Sequence, residues 1–185
     1  MSAVGEQGTC GMDWAMVSTD AVASLYALKI GTLPELSTQQ LLECSVNYGN
    51  EGCDGGFMDQ AFAYIIDEGI SLASSYAPRY PPTKCKYVLN MKYTTITRCA
   101  RVPPKNYNKL LSAIVQQPVS VAIDFSPAMI LYRGGLFNDN CTSNINHGML
   151  LVGYGGKEEK DFYWRLKNTV GTTWGSGGFL NLKRT

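Results

Sequence analysis

The sequence predicts an α+β protein of two lobes, and three observations predict it. Apolar residues recur at helical spacing in roughly the first 70 residues. Five of the eight prolines then fall between Tyr76 and Pro104, a passage without sustained periodicity. Beyond Val119 the apolar residues alternate in short runs, as in half-buried strands. Helices followed by strands argue for a helical lobe over residues 1–100 and a β lobe over 101–185, with a cleft at their junction.

The elements follow in order. Trp14, Val17, Ala21, Leu25 and Leu28 form one stripe of a helix running from about Asp13 to Lys29, with Gly31 suited to a left-handed cap. Asp13 itself is a residue type favoured as an N-cap. Ser37-Thr38-Gln39-Gln40 has the form of a capping box and opens a short helix through Cys44. After the turn EGCDGG, a stripe of Met58, Ala61, Phe62 and Ile65 predicts a third helix ending at Gly69. A fourth is expected over Tyr107–Gln116. Strands are expected around Val119–Val121–Ile123, Leu150–Val152–Tyr154, Phe162–Trp164–Leu166 and Phe179–Leu182. Lys157–Lys160, KEEK, reads as a solvated hairpin loop.

Composition narrows the function classes. The chain has 185 residues, 16 Lys+Arg against 15 Asp+Glu and a net charge of +1. With no long basic run, neither nucleic acid nor a membrane is expected as a partner. No apolar stretch approaches the eighteen or so residues that span a bilayer. The N-terminal MSAVGEQG has no signal-peptide pattern. A single histidine, His147, excludes multi-histidine metal sites, so no metal or other cofactor is expected, and acid–base chemistry near neutral pH has one obvious candidate. Six cysteines, none in C-x-x-C spacing, favour disulfides from an oxidising compartment over reduced buried thiols.

Six blocks then carry a family resemblance: QGTCGMDWAM at 7–16, CSVNYGNEGCDGG at 44–56, QQPVSVAID at 116–124, LYRGGLF at 131–137, NHGMLLVGYG at 146–155 and YWRLKNTVGTTWGSGGF at 163–179. In content, order and spacing they resemble the papain family of cysteine endopeptidases, with a plant flavour. The resemblance implies a helical left lobe, an antiparallel β-barrel-like right lobe and an active-site cleft between them. It implies disulfides Cys10–Cys53 and Cys44–Cys85, and a secreted, vacuolar or lysosomal location. A Cys99–Cys141 bridge is a further possibility that the sequence leaves open. Relative to the family, the chain reads as shortened at both ends, leaving strand edges at which a protein partner or assembly could dock.

The resemblance also assigns roles. Gln7 matches the oxyanion-hole glutamine, His147 the general base and Asn168 the residue orienting the imidazole. The nucleophile position, however, holds Asp13. An aspartate carries the negative charge of a resting thiolate at neutral pH, so pairing with a His147 imidazolium is expected. It cannot replace the sulfur as nucleophile, because attack on a peptide would yield a mixed anhydride, higher in energy than the amide consumed. Water activation by Asp13 or His147 lacks the second carboxylate of an aspartic-protease dyad. Val170 stands where the family usually has a tryptophan covering the histidine–asparagine bond. For substrate, Gly55 and Gly56 match the backbone strip that binds an extended peptide, and Phe57, Met58, Ala122 and Ile145 match the apolar specificity pocket. Asn140-Cys141-Thr142 has the form of a glycosylation site.

The expected function is that of a papain-like peptidase homologue, inactive for want of its nucleophile, with a peptide or protein as its cleft ligand. The alternatives are a family peptidase inactivated by an engineered substitution and a structural subunit of a larger assembly.

Overall fold

The structure, a computed structural model, describes residues 1–79, 81–139 and 142–184. The chain divides into two compact units, one of Met1–Ser2 with Thr9–Arg101 and the other of Ala3–Gly8 with Val102–Thr185. Fold class is as the sequence predicts: helices dominate the first unit and an antiparallel sheet the second.

The helical unit contains α1 (Asp13–Ile30), α2 (Thr38–Cys44) and α3 (Met58–Asp67). Its core joins Trp14, Val22, Leu41, Leu42, Tyr64, Ile65 and Ile70. Of the stripe expected on α1, Trp14, Val17 and Ala21 are buried, whereas Leu25 is half-buried and Leu28 is 63% exposed. Gly31 closes α1 in the left-handed conformation, its N–H donating to Ala27 O. The N-cap of α1 is Met12, so Asp13 is the first helical residue and not the cap. Half of the capping box forms: Ser37 Oγ accepts from Gln40 N at 3.1 Å. The other half does not, because Ser37 N donates to Ser71 O and the buried Gln40 amide binds Tyr64 Oη, Gly69 O and Ser71 instead. A tertiary network thus overrides the local motif. Disulfides Cys10–Cys53 and Cys44–Cys85 are both present, as the resemblance implies.

The β unit holds α4 (Tyr107–Gln116), the short α5 (Pro127–Ile130), and strands β1 (Val119–Ile123), β2 (His147–Gly155), β3 (Tyr163–Lys167) and β4 (Phe179–Lys183). The strands pair in the order β1-β2-β3-β4, all antiparallel. Met149, Leu151, Leu166 and Leu180 make its core with Met129, Tyr132 and Trp174. On β2, Met149 and Leu151 join this core, and Leu150, which the sequence alternation picks out, is fully buried as well. The alternation fails only beyond it: a register shift falls between Leu151 and Gly153, and Tyr154 is 47% exposed. Phe137 bonds Asn181 O and Lys183 N, engaging the outer edge of β4. The KEEK stretch includes a 3₁₀ turn, Glu159–Asp161, and an exposed Lys160–Glu158 ion pair. Cys99 is exposed and unbridged among the described residues; Asn140 and Cys141, and with them the glycosylation and Cys99–Cys141 readings, lie outside those residues.

Candidate active site

The β unit assembles three of the sequence-predicted residues. His147 opens β2 opposite Ile123 of β1, and Asn168 directly follows β3. His147 Nε2 lies 2.7 Å from Asn168 Oδ1. That same oxygen accepts the Thr169 backbone N–H at 2.8 Å. A backbone N–H only donates, so the shared atom must be the amide oxygen, and the imidazole must carry its proton on Nε2. Nδ1 is then the ring atom that takes up or gives up a proton.

Asn168 is fully buried, and its Nδ2 has no hydrogen-bond partner among the described residues. An ordinary structural asparagine is rarely left with such an orphan. Gln7 enters the same unit through the segment Ala3–Gly8, which runs beside the loop after β3. Gln7 N donates to Thr169 O at 2.8 Å, Gly171 N to Gly5 O at 2.9 Å, and Thr169 Oγ1 to Gln7 Oε1 at 2.5 Å. The last bond orients the Gln7 amide oxygen toward Thr169, so its NH₂ end is the one presented elsewhere. Thr169 therefore touches both roles: its N–H fixes Asn168 and its carbonyl and hydroxyl fix Gln7.

Sequence reading missed Thr169, and it missed Phe125 and Asn146. The Phe125 ring lies 4.8 Å from the His147 ring and 5.7 Å from that of Trp174, which is held by Nε1 donating to Met129 O. Asn146 Oδ1 accepts Phe125 N at 2.8 Å. The histidine is thus packed on one side by an aromatic chain, a duty no spacing rule announces. Val170 is half-buried and bridges to Glu6.

The helical unit positions the other predicted residues. Asp13 is half-buried in the first turn of α1. The chain entering that turn is clamped from several sides. Gly11 N donates to Cys53 O at 2.9 Å, and a Cβ on Gly11 would come within 2.7 Å of that oxygen, so only glycine fits. Trp14, 2% exposed, donates from Nε1 to Gly52 O. Gly56 lies flat against the Trp14 ring, where a Cβ would approach to 2.6 Å. Gly55 has φ 124°, a region that favours glycine. The buried Asn50 accepts Phe57 N at 2.8 Å and donates to Ser45 Oγ, fixing the strip from Gly55 to Phe57.

Of the apolar pocket set, Phe57 and Met58 sit at the start of α3 in the helical unit, whereas Ala122 on β1 and Ile145 just before β2 belong to the β unit. Phe57 is 64% and Ile145 58% exposed. No group of three or more histidine, cysteine or acidic side chains among the described residues could hold a metal.

The fold and the His147–Asn168 pair define a class, the papain-like thiol peptidases. Residues 1–185 match the papain family of cysteine proteases, and the chain belongs to that family. It is 42% identical over 183 residues to cathepsin S of Bos taurus, covering 96% of this chain and 55% of the relative. It is 38% identical over 183 residues to the senescence-specific cysteine protease SAG39 of Oryza sativa subsp. indica, covering 98% and 54%. The chain spans about half the length of the curated relatives it matches. Among solved structures, the digestive procathepsin L 3 of Tenebrio molitor larval midgut matches with a TM-score of 0.94 and 42% identity, over 100% of this chain and 62% of that one. The bromelain protease of Ananas comosus, in complex with the E64 inhibitor, matches at 0.90 and 34%, over 99% and 84%. Plant and animal members are both near.

Proposed function

We propose that this chain is a papain-fold protein that binds peptides without cleaving them, because Asp13 fills the nucleophile position. The observation that carries the reading is the 2.7 Å bond from His147 to a buried, doubly engaged Asn168, a histidine site held ready in a sequence with no cysteine beside Trp14. In the family arrangement, Nδ1 of His147 would face the nucleophile, and the NH₂ of Gln7 would donate to the developing oxyanion. In that arrangement a carboxylate would stand in for the negative charge of the thiolate. Acyl transfer would be lost, since the acyl-enzyme would be an anhydride.

The ligand class is an extended peptide. The Gly55–Gly56 strip would pair with its main chain, and Phe57, Met58, Ala122 and Ile145 would take an apolar side chain. Two disulfides support residence in an oxidising compartment, secreted, vacuolar or lysosomal. No helix among the described residues is long and apolar enough to cross a membrane.

The test is kinetic. The unaltered chain should show no turnover of fluorogenic peptides with a hydrophobic residue at the second position, yet bind them measurably by calorimetry. Asp13→Cys should gain turnover, and adding His147→Ala should abolish it. Cleavage by the unaltered chain would overturn the silent-site reading, and failure to bind would overturn the peptide-binding one.

A further inference from the structure

The near-neutral net charge conceals a strong segregation. The first 68 residues carry ten acids and a single cation, Lys29, whereas the 55 residues from Gly69 to Ile123 carry eight cations and no acid. Two of those cations are internally paired, Arg79 with Glu43 and Arg101 with Asp59. Lys84, Lys86 and Lys92 are exposed and stand in none of the ion pairs among the described residues.

These three lysines flank a projecting turn. Leu89–Met91 is a 3₁₀ turn, with Met91 N donating to Val88 O and Lys92 N to Leu89 O. Its tip is apolar and open: Val88 is 52% and Leu89 70% exposed. The turn is rigidly rooted on both sides. Before it, Cys85 is bonded to Cys44, Lys86 N donates to Tyr76 Oη, and Tyr87 Oη donates to Glu68 O. After it, Tyr93 N donates to Ile70 O. Glu68 is the acid brought to this root, its charge reaching Tyr87. The turn also forms a wall of a cavity of about 370 Å³ lined by Leu72, Ser75, Asn90, Met91, Lys92 and Tyr93.

An anionic polymer would use the lysines but leave Val88 and Leu89 in water. An anionic bilayer uses both, since its headgroups attract cations and its acyl boundary accepts apolar tips. We propose that the Lys84–Lys92 turn is a peripheral docking site for an anionic lipid surface. Val88 and Leu89 enter the headgroup–acyl boundary, the three lysines meet lipid phosphates and carboxylates, and the cavity beside Lys92 accommodates one headgroup. The sequence set membranes aside for want of a long basic run. A rooted turn needs none, because folding brings cations and apolar tip together. The site is independent of the state of position 13.

Flotation of the full chain with vesicles tests this. Vesicles of phosphatidylcholine with about 30% phosphatidylserine should carry the protein at low salt, and pure phosphatidylcholine should not; partition should weaken severalfold toward physiological ionic strength. Each lysine should contribute about fivefold to partition, so Lys86→Glu with Lys92→Glu should lower it by more than tenfold. Leu89→Gln, which removes the apolar tip without adding charge, should lower it about tenfold while leaving retention on a sulfated-polysaccharide column unchanged. Both variants lie on exposed side chains, and an unchanged melting temperature confirms their folding. No partition onto the anionic vesicles overturns the proposal. So does partition indifferent to Leu89→Gln, which would identify the turn as a polyanion site instead.

Discussion

The two units bear their site residues in different ways. In the helical unit Asp13, at the proposed nucleophile position, is half-buried, while the packing around it is done by its neighbours Gly11, Trp14 and Gly56. In the β unit the proposed role and the packing fall on the same residue: Asn168 is fully buried and its single oxygen receives two donors. A residue of the first kind can be exchanged with little consequence for folding. Exchanging one of the second kind leaves buried donors without an acceptor. On the proposed reading, this difference lets position 13 change while the contacts that hold its helix remain in place.

The sharpest way to break the comparison is to remove the buried partner. In an Asp13→Cys background, Asn168→Ala should lower kcat/KM by about a hundredfold with KM little changed, because the imidazole loses its orientation and not its substrate contacts. If activity survives within a few fold, Asn168 is packing alone and the distinction between the units fails. The same substitution should also lower the melting temperature, whereas Asp13→Cys by itself should leave it nearly unchanged.

The helical unit's supports can be tested without any activity. Gly56→Ala drives a methyl against the buried Trp14 ring and Asn50 Oδ1, both at 2.6 Å, and neither can retreat from its hydrogen bonds. A loss of about 2–3 kcal/mol is expected in urea unfolding. A loss below about 0.5 kcal/mol would mean that the strip is loosely packed and that its glycines serve the ligand only.

Much of this was legible in the sequence because it rests on local periodicity or on residue type at a turn. The helix Tyr107–Gln116 is found over the residues expected, and Gly31 caps α1 as expected. The residues that bear the candidate histidine site were legible only as a set, through the family blocks, since an isolated histidine or asparagine has no distinguishing pattern. What remained hidden depends on contacts distant along the chain. Gln40 abandons its capping box for Ser71 and Gly69, roughly thirty residues away, and Thr169 gains its importance from Gln7, 162 residues away. The short α5 has too few residues to show a period. The segregation of charge was present in the sequence but averaged away in the net value, and only the exposure of Val88 and Leu89 gives it a meaning.

The smallest expected effect sharpens the contrast through pH. Glu43, with no side-chain exposure, receives Tyr76 Oη at 2.5 Å, Thr83 N at 2.7 Å and Gln39 Nε2 at 2.9 Å, and lies 3.2 Å from Arg79 Nε. Burial pushes its carboxyl up, but the hydrogen bonds from Tyr76, Thr83 and Gln39 together outweigh it and hold the group below its ordinary value of 4.5. A lowered folded value means that the stabilisation is complete above 4.5 and drains away as pH falls through the folded value, because the unfolded chain takes up the proton first. Tyr76 adds the opposite limit. Burial, and then its bond to Glu43, raises it above 10.0, so its contribution is complete below that pH and is lost on the alkaline side. Glu43→Gln should therefore cost about 2 kcal/mol near neutrality and progressively less toward pH 3.5, read as the difference between wild-type and variant urea midpoints. An equal cost at both pH values would show that shape, and not charge, holds Tyr76, Arg79 and Thr83 against α2. Because this network lies wholly in the helical unit, Asp13→Cys/Glu43→Gln should unfold at lower denaturant than Asp13→Cys while keeping its peptide turnover where both are folded.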